Sequence, residues 1–139
     1  MQFRYQKFLS LGQDSRKPTI ARPYVPIYLS YKGKRTPTSF YALLDSGADS
    51  INFPSDLALA VGIKDITQGR KEAITGVGGQ QTSIYFFDSE IEIVGDGRKL
   101  SVSVGFADNI YAPLLGRTIF KYFKSTIFHE QKEIVELKI

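Results

Sequence analysis

The stretch Leu43-Leu44-Asp45-Ser46-Gly47-Ala48-Asp49 places a carboxylate at the end of an apolar, strand-like run, and any fold adopted by this chain must accommodate it. An ionised carboxylate in that setting costs free energy unless it is hydrogen-bonded, paired or engaged in chemistry. The small residues after it allow a second backbone or a ligand to come close. Asp45 is therefore the leading candidate for a functional residue, set against the plain reading of a turn Asp closing a strand. Two further signals share its character. Pro113-Leu114-Leu115-Gly116-Arg117 again runs an apolar pair into a glycine, and between the two lies the glycine-rich Thr75-Gly76-Val77-Gly78-Gly79, flanked by strand-like sequence. As a phosphate cradle this segment fails, because it lacks both a following Lys-Ser/Thr pair and the third glycine of the dinucleotide fingerprint. As the tip of a hairpin that opens and closes over a ligand it makes better sense, since such a tip needs residues tolerant of positive φ.

The rest of the chain reads as mostly β. Met1 to Leu9 alternates loosely and predicts a first strand, with a loop over Gly12 to Pro18. Tyr24 to Tyr31 and Ser39 to Leu44 predict two strands, joined through Lys32-Gly33-Lys34-Arg35-Thr36-Pro37 by a hairpin longer than the tightest types. Ile51 to Phe53 is a short strand. Asp56 to Val61 predicts a helix in which Ser55 is the N-cap and Gly62 the stop. Ile84 to Phe87, Glu90 to Val94 and Leu100 to Phe106 are strands, the last two separated by the turn Gly95-Asp96-Gly97-Arg98. A second short helix covers Arg117 to Phe123. Thr126 to Phe128 and Ile134 to Ile139 then form a closing hairpin around Glu130-Gln131-Lys132.

At 139 residues the length predicts one domain spanning 1–139, large enough for a real core. With no Cys and a single His, the chain can build neither a disulfide framework nor a thiolate or multi-histidine metal site. No metal and no cofactor is expected. The opening residues lack a signal-like apolar region, and no run approaches the roughly 18 apolar residues of a membrane span. The expectation is a cytoplasmic protein with no membrane partner. The net charge of +4 comes from basic residues scattered over loops and interleaved with acids, with no recognised nucleic-acid motif. It is read as a solvated surface, with no nucleic-acid partner. His129 lies far in sequence from the motifs and is assigned no role.

Taken together, the three motifs resemble those of the retropepsins, the single-domain, retroviral-type branch of the aspartic proteases. The resemblance covers most of residues 22–124. Arg22-Pro23-Tyr24-Val25-Pro26-Ile27 looks like the strand that opens the retroviral domain, Ala42 to Asp49 like its catalytic loop, Gly76 to Gly79 like its flap tip, and Leu114 to Arg117 like the segment before its C-terminal helix. The resemblance implies a closed acid-protease β-barrel with two short helices, assembled as a homodimer. Residues 1–21 then form an N-terminal extension and residues 125–139 a C-terminal hairpin where retroviral enzymes end in one strand.

The resemblance also implies an aspartic endopeptidase acting on extended peptides. Peptide hydrolysis without metal or covalent intermediate needs a general base for water and a general acid for the amide, and two close carboxylates sharing a proton supply both. Only Asp45 stands in the right motif here, so its partner would be Asp45 of a second chain across a two-fold axis. Ser46 and Gly47 complete the catalytic triplet, Ser46 with a hydroxyl that in the family bonds across the paired loops. Ala48, Asp49, Gly76, Val77, Gly78, Gly79 and Leu114 are the implied substrate and flap positions. Asp49 and Arg117 are the implied ion pair within one subunit, with Arg22 reaching the same carboxylate from the other. The rival readings are a retropepsin-like module that dimerises and grips a peptide without cutting it, and a basic β-barrel that binds nucleic acid.

Overall fold

A computed structural model describes residues 1–8, 20–75 and 78–139. The predicted loop over Gly12 to Pro18 and the flap-tip residues Gly76 and Val77 lie outside the described residues. In chain order the elements are β1 (Gln2–Arg4), β2 (Tyr24–Tyr31), β3 (Lys34–Arg35), β4 (Phe40–Leu44), β5 (Ile51–Pro54), α1 (Ser55–Ala60), β6 (Arg70–Thr75), β7 (Gln81–Ile93), β8 (Leu100–Ala107), β9 (Leu114–Leu115), α2 (Arg117–Phe120), β10 (Ser125–His129) and β11 (Ile134–Lys138).

Six of these strands close on themselves. The order β2-β4-β9-β5-β8-β7 returns to β2 through an antiparallel pairing of Ile27–Ser30 with Glu90–Ile93, so the sheet is a barrel. The chemistry behind this closure is period-two alternation. Along β2, Val25, Ile27 and Leu29 are fully buried while the residues between them are not, and β4 buries Ala42 and Leu44 in the same way. Phe53 of β5 and Phe106 of β8 pack edge to face at 6.3 Å in the middle of this core. β3 adds to β2 and β6 to β7 as outer strands. A separate antiparallel sheet, β1-β11-β10, lies against the barrel, with Val135 and Leu137 buried beneath it.

The structure departs from the sequence reading at several places, each with a local cause. β2 and β4 pair antiparallel as expected, but the connection between them holds a further strand, β2 turning into β3 through only two residues, Lys32 at φ 47° and Gly33 at φ 82°. Two consecutive positive-φ residues make the tight turn whose twist matches paired strands. β7 is one 13-residue strand rather than two, because it serves β6 along its first half and β2 along its second. Ser89, the polar interruption that suggested a break, is buried, and its hydroxyl donates to the Phe87 carbonyl at 3.0 Å. α1 begins at Ser55 and is N-capped by Pro54 without a side-chain bond, so Ser55 is the first helical residue and not the cap. Gly62 does follow the helix, at φ +89°. α2 ends at Phe120, three residues before the predicted stop. The first strand runs only over Gln2–Arg4, followed by an isolated bridge between Gln6 and Arg22. β6 and β9 carry no sufficient pattern of their own. β6 is almost wholly exposed, and β9 is two residues long.

Candidate active site

The loop at Asp45 is held by its neighbouring segments. β4 and β9 run parallel, with Leu43 beside Leu114 and Leu44 beside Leu115, and β9 also touches β5 where Leu114 meets Asn52. The Leu44 N–H donates to the Pro23 carbonyl at 3.0 Å and the Asp45 N–H to the Leu115 carbonyl at 3.0 Å, so the end of the strand is fixed from both sides at Asp45. There the chain leaves the sheet. Asp45 is half-buried, and its Oδ1 accepts from the Gly47 N–H at 2.9 Å. That bond folds the loop back onto its own carboxylate, which is the local reason a small residue follows two positions later. Ser46 and Gly47 are exposed beside it and Ala48 is half-buried.

Gly116 locks the loop to the second motif. A β-carbon at this position would collide with the Ser50 carbonyl and lie 2.7 Å from the Ala48 carbonyl, so only glycine fits. Immediately after it, the Arg117 N–H donates to the Ala48 carbonyl at 2.7 Å and the Thr118 N–H to the Asp49 carbonyl at 3.3 Å. The start of α2 therefore satisfies carbonyls that the loop cannot satisfy itself. The side chains of the same segments also meet, with Arg117 Nη1 at 3.7 Å from Asp49 Oδ1. In the single chain this pair is open to water, Arg117 being 70% and Asp49 94% exposed. Such a pair is screened and contributes about 0–1 kcal/mol. Arg22 is exposed at the isolated bridge to Gln6, and among the described residues its side chain forms no ion pair with Asp49.

Gly78 and Gly79 stand at the end of the β6–β7 hairpin, where Thr75 pairs with Gln81. Gly78 and Gly79 have φ of +93° and +80°, and nothing lies within 4 Å of a β-carbon built on either. They are glycines for their backbone conformation and not for lack of room. The base of the hairpin rests on a small apolar cluster that sequence reasoning missed: Ile84, Phe86 and Ala107, with Ile74 and Ile110 packed on it. The Asn109 amide donates to Thr82 Oγ1 at 3.1 Å, tying the 108–113 segment to the hairpin arm. The signal was present in the apolar alternation of Ile84 and Phe86, but Asn109 carried none.

The structure thus brings Asp45, Ser46, Gly47, Ala48, Asp49, Leu114 and Arg117 together, and places Gly78 and Gly79 on a separate arm. Among the described residues there is no cluster of three or more His, Cys, Asp or Glu side chains suited to a metal. A cleft of about 570 Å³ lies elsewhere, beside β7, β8 and α2, and includes none of these residues. No helix among the described residues is long and apolar enough to cross a membrane.

No family model matches the sequence, and no curated protein matches it. Solved structures do. The EIAV protease, in a structure complexed with the inhibitor HBY-793, is 27% identical over 73% of this chain and 86% of its own, with a TM-score of 0.50. A retropepsin-like aspartic protease from Rickettsia conorii superposes with a TM-score of 0.60 over 97% of this chain and 88% of its own, at 13% identity. A six-stranded barrel, two short helices, and an Asp-Ser-Gly loop pinned beneath a second apolar-glycine segment are the observations these likenesses join. The chain has the retropepsin-like fold of the aspartic proteases.

Proposed function

We propose that the chain is an aspartic endopeptidase whose active site forms on the two-fold axis of a homodimer, from Asp45 of each protomer. One observation carries this reading: a single half-buried carboxylate is held at the open end of β4 by the Gly47 N–H. One carboxylate cannot act as both general base and general acid in the same step, whereas two facing ones sharing a proton can. A symmetric dimer supplies the second without any further sequence.

In this mechanism one Asp45 accepts a proton from the attacking water as its oxygen adds to the scissile carbonyl. The other, protonated, gives its proton to the carbonyl oxygen, so that a neutral gem-diol forms. The first Asp45 then passes the proton taken from water to the leaving nitrogen, while the second takes a proton back from a gem-diol hydroxyl as the C–N bond breaks. Ser46 braces the paired loops. Gly47 and Asp49 hydrogen-bond the extended main chain of the peptide, and the β6–β7 hairpin closes over it, with Gly76, Val77, Gly78 and Gly79 at its tip. Leu114 and Leu43, side by side and half-buried, form the apolar floor for the residue next to the scissile bond. Arg117 orients Asp49, and Arg22 reaches the same carboxylate from the partner subunit. Mass spectrometry of a peptide library incubated with the purified protein tests this directly. Cleavage that disappears in Asp45→Asn supports it, whereas specific peptide binding without products favours a non-catalytic peptide-binding dimer.

A further inference from the structure

The turn that joins β7 to β8 carries a charged pair distant from Asp45 in the sequence. Asp96 and Arg98 meet through a fork, with Arg98 Nε donating to Asp96 Oδ1 at 2.8 Å and Arg98 Nη2 to Asp96 Oδ2 at 3.0 Å. The Asp96 side chain is 0% exposed, so the fork is partly withdrawn from water and holds the guanidinium in one orientation. The third nitrogen, Nη1, donates to the Tyr122 carbonyl at 3.1 Å, just beyond α2, and the group lies 5.3 Å from the centre of the Phe123 ring. The Tyr122 hydroxyl ties the same segment to the Ser101 carbonyl of β8. From there one set of hydrogen bonds runs on to the loop at Asp45. The Tyr122 N–H donates to the Ile119 carbonyl at 3.2 Å and the Ile119 N–H to the Gly116 carbonyl at 3.1 Å, while the Arg117 and Thr118 N–H groups hold the Ala48 and Asp49 carbonyls.

We propose that Asp96 and Arg98 are positioning residues for Asp45, acting through α2, a role that rests on the peptidase reading above. α2 spans only Arg117–Phe120, too short a helix to hold its own shape. Its place is therefore set by what grips it. Ile119 is fully buried in the core, the first N–H groups hold the loop, and Arg98 takes the far end. The junction at Gly116 is packed so tightly against Ser50 that a shift of α2 is passed to the loop and not absorbed. Two facing carboxylates share a proton only over a narrow range of separations. A displacement of about 1 Å arising far from the chemistry can cost about a hundredfold in rate. Arginine can fork onto Asp96 and reach Tyr122 at once, whereas lysine keeps the charge and gives up one of the two.

Arg98→Lys is the informative variant, since it keeps Asp96 paired while loosening α2. On a peptide that wild type cleaves, assayed well below both melting temperatures, kcat should fall about tenfold or more with KM within about twofold. Asp96→Asn, which removes the charge that orients the guanidinium, should act in the same direction. A lower melting temperature with kcat at the wild-type level in both variants would overturn the proposal and leave the pair as a brace for the fold alone. Amide hydrogen exchange reads the same link without catalysis. The Arg117 N–H should exchange about tenfold faster or more in Arg98→Lys, while the Thr36 N–H, bonded to the Leu29 carbonyl at 2.8 Å, keeps its wild-type rate. An unchanged Arg117 rate contradicts the proposal whatever the kinetics show, and so does equal acceleration at both sites, which would mark global destabilisation. If wild type cuts no peptide, the peptidase reading fails, and the exchange rates decide on their own whether Asp96 and Arg98 hold the loop.

Discussion

Gly116 and Ser50 stand so close that a β-carbon on Gly116 would collide with the Ser50 carbonyl, leaving no space for a side chain. The glycine has an ordinary negative φ of −79°, so crowding and not backbone conformation makes it obligatory. Gly116→Ala should cost more than about 3 kcal/mol, at the upper end of overpacking penalties, because backbone carbonyls on two sides cannot rotate away. Thermal unfolding checks this, and a melt like wild type would show that the loop can yield.

Asp45→Asn should remove peptide hydrolysis and leave stability within about 0.5 kcal/mol of wild type. The amide oxygen still accepts the Gly47 N–H, which preserves the loop, while the side chain loses the capacity to take a proton from water. A library digest and a melt on the same preparation separate the two effects.

If two chains share one site, specific activity should fall on dilution, and excess Asp45→Asn chain should suppress wild type by forming mixed dimers. Activity strictly proportional to concentration in a protein sedimenting as a monomer would contradict the shared site.

For Arg117, the 3.7 Å contact to a 94%-exposed Asp49 sets a low expectation in the isolated chain. Arg117→Ala should change protomer stability by no more than about 1 kcal/mol. If the dimer withdraws the pair from water, the same variant should weaken assembly by about 3–5 kcal/mol, with Arg117→Lys recovering only part because an ammonium cannot fork onto a carboxylate. Sedimentation and melting on both variants read the two quantities separately.

Asp65 provides a pH marker independent of catalysis. Its Oδ1 accepts the Thr67 hydroxyl at 2.6 Å and the Thr67 N–H at 3.0 Å, capping the turn at Ile66–Gln68. These bonds, the hydroxyl first, hold its pKa below the ordinary aspartate value. A depressed folded pKa means the contribution is present above the unfolded pKa and is lost as pH falls through the folded one. Thr67→Val should raise the Asp65 midpoint in an NMR titration towards the ordinary value.

What could be read from the sequence divides along physical lines. The barrel's central strands announced themselves because a half-buried strand writes its burial as alternation, as Val25, Ile27 and Leu29 do. Asp45 and Gly116 were visible because a carboxylate or a glycine in an apolar run has few ordinary explanations. The retropepsin-like resemblance rested on such residues, and the superposed structures bear out the fold. β9 was not legible as a strand, since two residues have no period. β6 was legible only as strand-like sequence flanking the glycines, with no bounds of its own, since it packs on β7 by its backbone while all its side chains but Ile74 face water. The packing of Phe8 on Tyr24 and Tyr41 was invisible for another reason: Phe8 is 16 residues from Tyr24 and 33 from Tyr41, and only the fold makes them neighbours.

The pairing of β1 with β11 has a consequence for the order in which the fold assembles. The Met1 amino group donates to the Leu137 carbonyl across 136 positions of chain. Of the described strands, β1 comes earliest in the chain and its hydrogen-bonding neighbour β11 latest. Until β11 is in place the barrel strands can find one another, but the sheet beneath them has no middle strand. Closing so long a loop is entropically slow relative to forming local hairpins. The fold should thus be completed by a late docking of β1 on β11.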